Sequence, residues 1–237
     1  MPETIAELMA SLEAGGRPPQ SLLLRALREG GCPARLVAIL EGCQWVRGAR
    51  RVMALMLRHP HCSLGFALDA VGRVGWVEVL AVARDPHAAP PIRRLAERRL
   101  SERVGEMSQG ERTSLARRAP RSLFPILMHD ESTRTTAALL DNPLFSETDA
   151  LRLVSSNPQI DCVRVVLRHA NWGRRPVVVD AAMRRRDLPL PVAASLAVTL
   201  SERQREQLER STDVPSRLRE LLRQLRERRE ERNTVDG

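Results

Sequence analysis

Short amphipathic segments alternate with proline-containing breakers through most of this chain. Within each segment, apolar residues recur at three- and four-residue spacing, which predicts α-helices. Weaker breakers occupy 186–189 and 212–215. The clear breakers are Arg58-His59-Pro60, Arg84-Asp85-Pro86, Arg118-Ala119-Pro120, Asp141-Asn142-Pro143 and Ser156-Asn157-Pro158. A breaker that returns after one or two helical lengths predicts stacked helical hairpins, because each hairpin buries its apolar face against its neighbours.

The spacing of the breakers predicts both a repeat and a local irregularity. Pro60 and Pro86 are 26 residues apart, and so are Pro189 and Pro215. This equal spacing indicates a repeating unit of two helices. Pro143 and Pro158 are only 15 residues apart, and the interval between them holds one helix, predicted at 146–155. We expect a change of curvature or a binding notch there. Cap-forming residues at Ser108 and Ser146 predict two of the helix starts.

These intervals predict an all-α fold, specifically a right-handed α-solenoid of stacked antiparallel helix pairs with about 14–16 helices. Three segments carry a family resemblance. They are Arg84 to Arg94, Leu139-Leu140-Asp141-Asn142-Pro143 and Leu188-Pro189-Leu190-Pro191-Val192-Ala193. Over roughly 58–232 the chain resembles the HEAT-like and leucine-rich-repeat-variant α-solenoids of bacteria, which have an armadillo-type fold. The resemblance implies a binding scaffold and carries no catalytic residue.

The same pattern predicts three regions along the chain. Residues 1–58 form an irregular N-terminal helical cap, and residues 59–215 form the HEAT-like helical repeats. Residues 216–237 form a charged C-terminal capping helix and a frayed tail, because the apolar stripe of that segment stops at Leu225.

Composition narrows the core and raises the question of a charged partner. The chain has three Phe, three Trp and no Tyr, so its core must consist of Leu, Val, Ala, Ile and Met. The net charge is +9, which suits nucleic acid, an anionic membrane surface or an acidic protein partner. All 38 basic residues are Arg, and the joint absence of Lys and Tyr favours a GC-rich genome as the reason.

Eight residues are candidates for binding. Seven are guanidinium groups, which recognise phosphate or carboxylate through bidentate hydrogen bonds, and one is an aromatic residue at a turn that could stack on a ligand. They are Arg93, Arg94, Arg98, Arg174, Arg175, Arg184, Arg185 and Trp172. In a solenoid, corresponding helices line one face, so these residues could form a continuous basic groove. The alternative is a scattered, solvated surface in which Arg pairs with interleaved Asp and Glu.

One breaker carries metal-capable side chains. His59, His61 and Cys62, with Cys43 upstream, could form a tetrahedral zinc site. The alternative is an inter-repeat turn with a polar His pair and a small buried thiol, and the irregular spacing favours it. We therefore predict no cofactor.

No motif for catalysis is present, and we predict that the protein is not an enzyme. The sequence contains no Gly-x-Ser-x-Gly, P-loop or His-Glu-x-x-His motif. The segment 129–132, His-Asp-Glu-Ser, has acid–base residues, but we interpret it as a turn and a helix cap at Asp130 or Ser132. The absence of a secretory signal or a long apolar run leads us to expect a cytoplasmic protein without membrane insertion.

Together, these patterns predict a non-catalytic scaffold that binds a protein through its concave or basic face. The alternative is a HEAT-like protein that binds nucleic acid without sequence preference through an Arg-rich groove. A zinc or iron–sulfur protein is a third hypothesis. The pattern leaves the oligomeric state open.

Overall fold

The computed structural model of this chain is built from α-helices. It describes the backbone of residues 5–28 and 31–235, and the side chains of these residues up to position 228. Within those ranges it has sixteen α-helices, three 3₁₀ helices and no β-strand. The predicted all-α class is therefore confirmed. No helix within the same ranges is both long enough and apolar enough to cross a lipid bilayer.

The chain divides into two compact units, residues 1–107 and residues 108–237, a boundary that the sequence analysis does not predict. The first unit also has 3₁₀ helices at Gln44–Gly48 and Val104–Glu106. Its α-helices are α1 (Ile5–Glu13), α2 (Gln20–Arg28), α3 (Ala34–Gly42), α4 (Arg50–Arg58), α5 (Leu64–Ala70), α6 (Trp76–Arg84) and α7 (Pro90–Arg103).

The second unit has nine α-helices and a 3₁₀ helix at Arg121–Leu123. The α-helices are α8 (Gln109–Ala116), α9 (Phe124–Leu127), α10 (Thr133–Leu140), α11 (Glu147–Ser156), α12 (Ile160–Arg168), α13 (Pro176–Met183), α14 (Leu190–Thr199), α15 (Glu202–Arg210) and α16 (Ser216–Val235). Helix α16 begins at Ser216, as predicted for the C-terminal capping helix, and extends to Val235. The predicted frayed tail lies partly outside the described residues, at 236–237.

Within each unit, helices pack against the next-but-one helix along the chain. The pairs α1–α3, α2–α4, α4–α6 and α5–α7 are in contact in the first unit, and α8–α10, α10–α12, α11–α13 and α14–α16 in the second. Helix α4 illustrates the cause, because Val52, Met53, Met56 and Leu57 form one stripe that is fully buried. Each such side chain contributes about 1.5–3 kcal/mol when it leaves water. Short helices of this length are marginal alone, so packing keeps them folded.

Serine caps fix where several helices begin. The Ser108 and Ser146 hydroxyls accept from the backbone N–H groups of Glu111 and Asp149, and these two carboxylates accept in return from the backbone of the serines. Both predicted capping boxes are therefore confirmed. Ser201 forms a third box with Gln204. Each cap satisfies N–H groups that have no partner inside the helix.

Four of the five clear breakers end a helix with a buried polar side chain rather than an exposed one. The residue before proline is buried at His59, Asp85, Asn142 and Asn157. Each of these four side chains accepts a hydrogen bond from the backbone N–H two residues later, across the proline. Such a side chain mimics a backbone turn, so the chain reverses without leaving that N–H group unpaired.

The two asparagines of the breakers also bind carbonyl groups of an earlier turn. Asn142 Nδ2 donates to the carbonyl oxygens of Ala116 and Ala119 at 2.8 and 3.0 Å. Asn157 Nδ2 donates to the Met128 carbonyl oxygen at 2.7 Å. These carbonyls lie at or just after the ends of α8 and α9, where intrahelical partners run out. One amide therefore shapes its own turn and closes the end of a previous helix.

At other turns, arginine side chains donate hydrogen bonds to carbonyl groups of earlier segments. Arg103 donates to the carbonyl oxygens of Val74 and Gly72, which precede it by 29 and 31 residues. Arg185 donates to the Val154 carbonyl oxygen, 31 residues earlier, at 2.6 Å. Arg217 donates to the carbonyls of Leu188 and Arg186, again 29 and 31 residues earlier. Donors in three parts of the chain thus reach back over the same sequence distance.

Replacing Asn157 by Ala tests this closure of helix ends. The Asn157→Ala variant leaves the Met128 carbonyl without its donor and the Gln159 N–H without its acceptor. We expect the free energy of unfolding to fall by about 1–3 kcal/mol in urea denaturation followed by circular dichroism. Asn171→Ala is the matched control, because Asn171 is exposed, and should change stability by less than about 0.5 kcal/mol. Equal losses in the two variants would contradict the assignment.

Candidate functional site

The predicted arginines of α7 have different surroundings. Arg93 Nη1 donates to the carbonyl oxygens of Pro86 and Asp85 at 3.0 and 3.4 Å, so it closes the preceding turn. Arg94 and Arg98 are exposed and have no hydrogen bond or ion pair to the residues that the structure describes. Within the first unit, these two remain available to an external ligand.

Trp172, the predicted stacking residue, is held by its own unit. Its indole N–H donates to the Leu140 carbonyl oxygen at 3.2 Å. Its ring lies edge-on to Phe145, with centroids 5.7 Å apart, and parallel to His169 at 6.4 Å. Arg175, which follows on the same turn, donates to the Asn171 carbonyl oxygen and lies 3.9 Å from a Glu147 carboxylate oxygen. The indole therefore ties its turn to α10.

Arg184 and Arg185 are held by intrachain carboxylates and polar groups. Arg184 binds both carboxylate oxygens of Asp180 and also donates to Asp213 at 3.0 Å. Its guanidinium pKa is raised, first by the hydrogen bond to Asp180. Arg185 binds Asp187 through Nε and Nη2, in addition to the Val154 carbonyl, and its side chain is only 12% exposed. Both side chains stabilise the second unit.

The eighth candidate, Arg174, lies at a groove between α12 and α14. The groove has a volume of about 410 Å³. Its apolar floor includes Leu167 and Leu196, and Arg164 and Arg168 join Arg174 at its edge. The residues that line it are Arg164, Leu167, Arg168, Gly173, Arg174, Pro191, Val192, Ser195, Leu196 and Thr199. None of these described lining residues is acidic or aromatic.

Arg164 and Arg168 are not among the residues predicted from the sequence. The predicted arginines are mostly adjacent in sequence, whereas these two are four residues apart. Four residues correspond to about one helical turn, so both side chains leave α12 on the same face. Helix α12 has its apolar residues Cys162, Val163 and Val166 buried on the other side. The missed signal was therefore the helical spacing of basic residues opposite a strong apolar stripe.

Gly173 sets the position of Arg174 at the groove. A Cβ atom at Gly173 would lie 2.1 Å from the Leu167 carbonyl oxygen, which is far inside van der Waals contact. The Gly173 N–H donates to the His169 carbonyl oxygen at 2.9 Å. Only glycine lets the backbone lie this close to the end of α12. The turn after α12 therefore folds back tightly and brings Arg174 near the helix that carries Arg164.

The four predicted metal ligands have separate partners. His59 is buried, its ring centroid is 5.5 Å from that of His61, and burial together with His61 lowers its pKa. Cys62 donates to the Ser63 carbonyl oxygen, and Cys43 to the Ile39 carbonyl oxygen. Among the described residues, no three His, Cys, Asp or Glu side chains are grouped to hold a metal ion.

Electrostatics at Cys62 also oppose metal binding. Burial first, and then the neighbouring Glu41 carboxylate, raise the pKa of the Cys62 thiol to about 12. A cysteine binds zinc as thiolate, so a ligand must lose its proton. The surroundings of Cys62 favour the neutral thiol and make it a small buried apolar group.

The acid–base residues of segment 129–132 act at a helix start. Ser132 Oγ accepts from the Thr135 N–H and caps α10, as predicted. Asp130 accepts from the Ser132 N–H at 2.8 Å and from Arg112 Nε at 2.6 Å. His129 Nδ1 lies 2.8 Å from the Pro125 carbonyl oxygen. These contacts stabilise the turn between α9 and α10.

Each of two further cavities has an intrachain ion pair in its lining. One, of about 610 Å³ in the first unit, is lined by His59, His61, His87 and Arg28, with Arg58 paired to buried Asp85 at 2.5 Å. The other, of about 400 Å³ in the second unit, lies beside the ion pair of Arg121 and Asp149. The α12–α14 groove differs because no carboxylate of the described residues lines it.

Alkylation of Cys62 tests its assignment as a buried neutral thiol. At pH 9, near the ordinary cysteine pKa of 9.0, the folded thiol stays protonated because its pKa is about 12. Only thiolate reacts, so we expect iodoacetamide to modify Cys62 at least about tenfold more slowly in folded than in denatured protein. Peptide mass spectrometry gives the rates. A folded-state rate equal to the denatured-state rate would contradict this environment.

Comparison of the chain with protein-family models, with curated proteins and with solved structures finds no match. Membership of a HEAT-like or leucine-rich-repeat-variant family therefore stays a prediction from the sequence pattern.

Proposed function

We propose that this protein is a non-catalytic α-solenoid scaffold that binds another protein. The next-but-one helix contacts within each unit are those that a stack of helix pairs would make, and they support this proposal. The donors at Arg103, Arg185 and Arg217, which reach back 29 to 31 residues, support a regular repeat. Stacks of this kind offer extended surfaces on which partners bind, and their repeats need no cofactor to fold.

The single observation that carries the proposal is the mixed character of the α12–α14 groove. Leu167 and Leu196 give it an apolar floor, and Arg164, Arg168 and Arg174 give it a basic edge. Protein interfaces combine an apolar centre with a polar rim in this way. A groove for a phosphate backbone would instead present a row of cations with little need for apolar contact.

The remaining contacts of the arginines also favour a protein partner. Arg93, Arg103, Arg185 and Arg217 donate to backbone carbonyls, and Arg184 binds two carboxylates. A guanidinium held in this way releases few counterions when a polyanion arrives. These five arginines are therefore less available to nucleic acid than the net charge of +9 alone would indicate.

Nucleic-acid binding is the second candidate function. Exposed Arg94 and Arg98 on α7 favour it, because both guanidinium groups could reach phosphates. Their helix also carries Glu97 and Glu102, and Glu102 pairs with Arg99 at 3.1 Å. Interleaved carboxylates reduce the positive potential of this face.

A salt titration separates the two functions. We expect fluorescein-labelled oligothymidylate and duplex DNA to bind weakly and to dissociate by physiological salt, because carboxylates interleaved with the arginines lower the positive potential of the surface. Chemical crosslinking in cells of the source organism, followed by nuclease digestion and mass spectrometry, should then yield crosslinked peptides of a partner protein. Submicromolar binding to either nucleic acid at physiological salt, with no crosslinked protein, would contradict the proposal.

A further inference from the structure

We propose that the α12–α14 groove binds a segment of a partner protein in which apolar side chains are flanked by carboxylates. This inference rests on the proposed function and specifies the chemistry of the partner. It is independent of how the two units are arranged, because every lining residue belongs to the second unit.

The charge of the groove selects carboxylates. Arg168 and Arg174 are exposed, without a hydrogen bond or ion pair to the described residues, and Arg164 is 38% exposed. Arg164 also donates to Asp161 at 3.2 Å, but Asp161 is 71% exposed and can release it. Exposed pairs of this kind contribute little to stability. Three guanidinium groups around one groove can therefore each offer a bidentate contact to an incoming Asp or Glu.

The floor of the groove selects apolar side chains. Half-buried Leu167 and Val192 lie beside Leu196. Val198 extends this surface, because it follows Pro191 by seven residues, about two helical turns, on the same stripe of α14. It is 76% exposed, a large apolar area to leave in water. The groove volume of about 410 Å³ falls in the range of roughly 300–1,000 Å³ that is typical of ligand sites.

A protein segment fits this combination better than a nucleic acid does. Sequence-tolerant binding of single strands depends on aromatic side chains that stack on bases, and no aromatic residue is among the described lining residues. Trp172, which is near in sequence, has its ring packed against Phe145 and His169. Val192 and Val198 would gain nothing from a sugar–phosphate backbone, whereas they would bury area against Leu or Phe of a peptide.

A display selection tests the proposal with the full-length protein. The probe is a library of random peptides of about 16 residues, long enough to cross the groove in extended or helical form. We expect the selected peptides to be enriched in Leu or Phe next to Asp or Glu. In fluorescence anisotropy, the R168E/R174E double variant should bind them at least about tenfold more weakly, because attraction becomes repulsion at two sites. Val192→Asp should weaken them similarly by placing a carboxylate on the floor.

The matched control is the R94E/R98E double variant, which makes the same charge change on exposed residues of α7. It should leave the affinity of the selected peptides within about twofold. Circular dichroism melts check that all three variants remain folded, as expected for exposed or half-buried positions. Oligothymidylate is the polyanion control and should not displace the peptides at physiological salt.

The outcomes separate the failure of this inference from the failure of the proposed function. Selected peptides that bind R168E/R174E and Val192→Asp as tightly as the unmodified protein would overturn the groove assignment and leave protein binding intact. Displacement of the peptides by oligothymidylate at equal concentration would show that a polyanion competes for the groove. It would overturn the assignment of a protein as the partner. A library that yields no binding peptide, together with no crosslinked protein in cells, would overturn both.

Discussion

The structure depends on how buried carbonyl groups at the ends of short helices find hydrogen-bond donors. Most of the helices have only seven to ten residues, so a large share of their backbone groups lies in first and last turns without an intrahelical partner. At the helix starts, Ser108, Ser146 and Ser201 supply acceptors from the same segment. At several helix ends, the donor comes from a turn 29 to 31 residues later, at Asn157 or Arg185. Packing of these helices within each unit is therefore a hydrogen-bonding requirement as well as a hydrophobic one.

This requirement gives the arginines of the chain a structural role. A guanidinium has five N–H donors in a rigid plane, so one side chain can bind a carboxylate and a carbonyl together. Arg185 does so with Asp187 and Val154, and Arg184 bridges Asp180 and Asp213. An ammonium group has the charge but not this geometry. The folded chain thus uses donors that Lys in the same positions would not supply.

Local features of the fold could be predicted from the sequence, and non-local ones could not. The helix starts at Ser108 and Ser146 and the breaker at Asn157 depend on neighbours within three residues, so the pattern shows them directly. The boundary at residue 107 and the partner of Arg185 depend on contacts between distant segments, for which one sequence gives no signal. Trp172 illustrates the difference, because its turn is evident but the Leu140 carbonyl that binds it is 32 residues away.

The candidate site was predicted in part for the same reason. Arg174 was selected because it lies in a local cluster, whereas Arg164 and Arg168 join it only through the face of α12 and the turn at Gly173. Arg184 and Arg185 were selected on the same local ground, yet intrachain carboxylates hold both. An arginine in this chain has a structural role when a carbonyl or carboxylate of its own unit binds its guanidinium group. Without such a partner, the guanidinium group is available to an external ligand.

The most direct test of this account is the stability of Arg185→Lys, which keeps the charge and removes the planar fork. Urea denaturation should show a loss of about 1–3 kcal/mol, because the Val154 carbonyl and Asp187 cannot both be bound by one ammonium group. Arg94→Lys, at an exposed position of α7, should stay within about 0.5 kcal/mol of the unmodified protein. Equal stability of the two variants would contradict the claim that arginine geometry closes the helix ends.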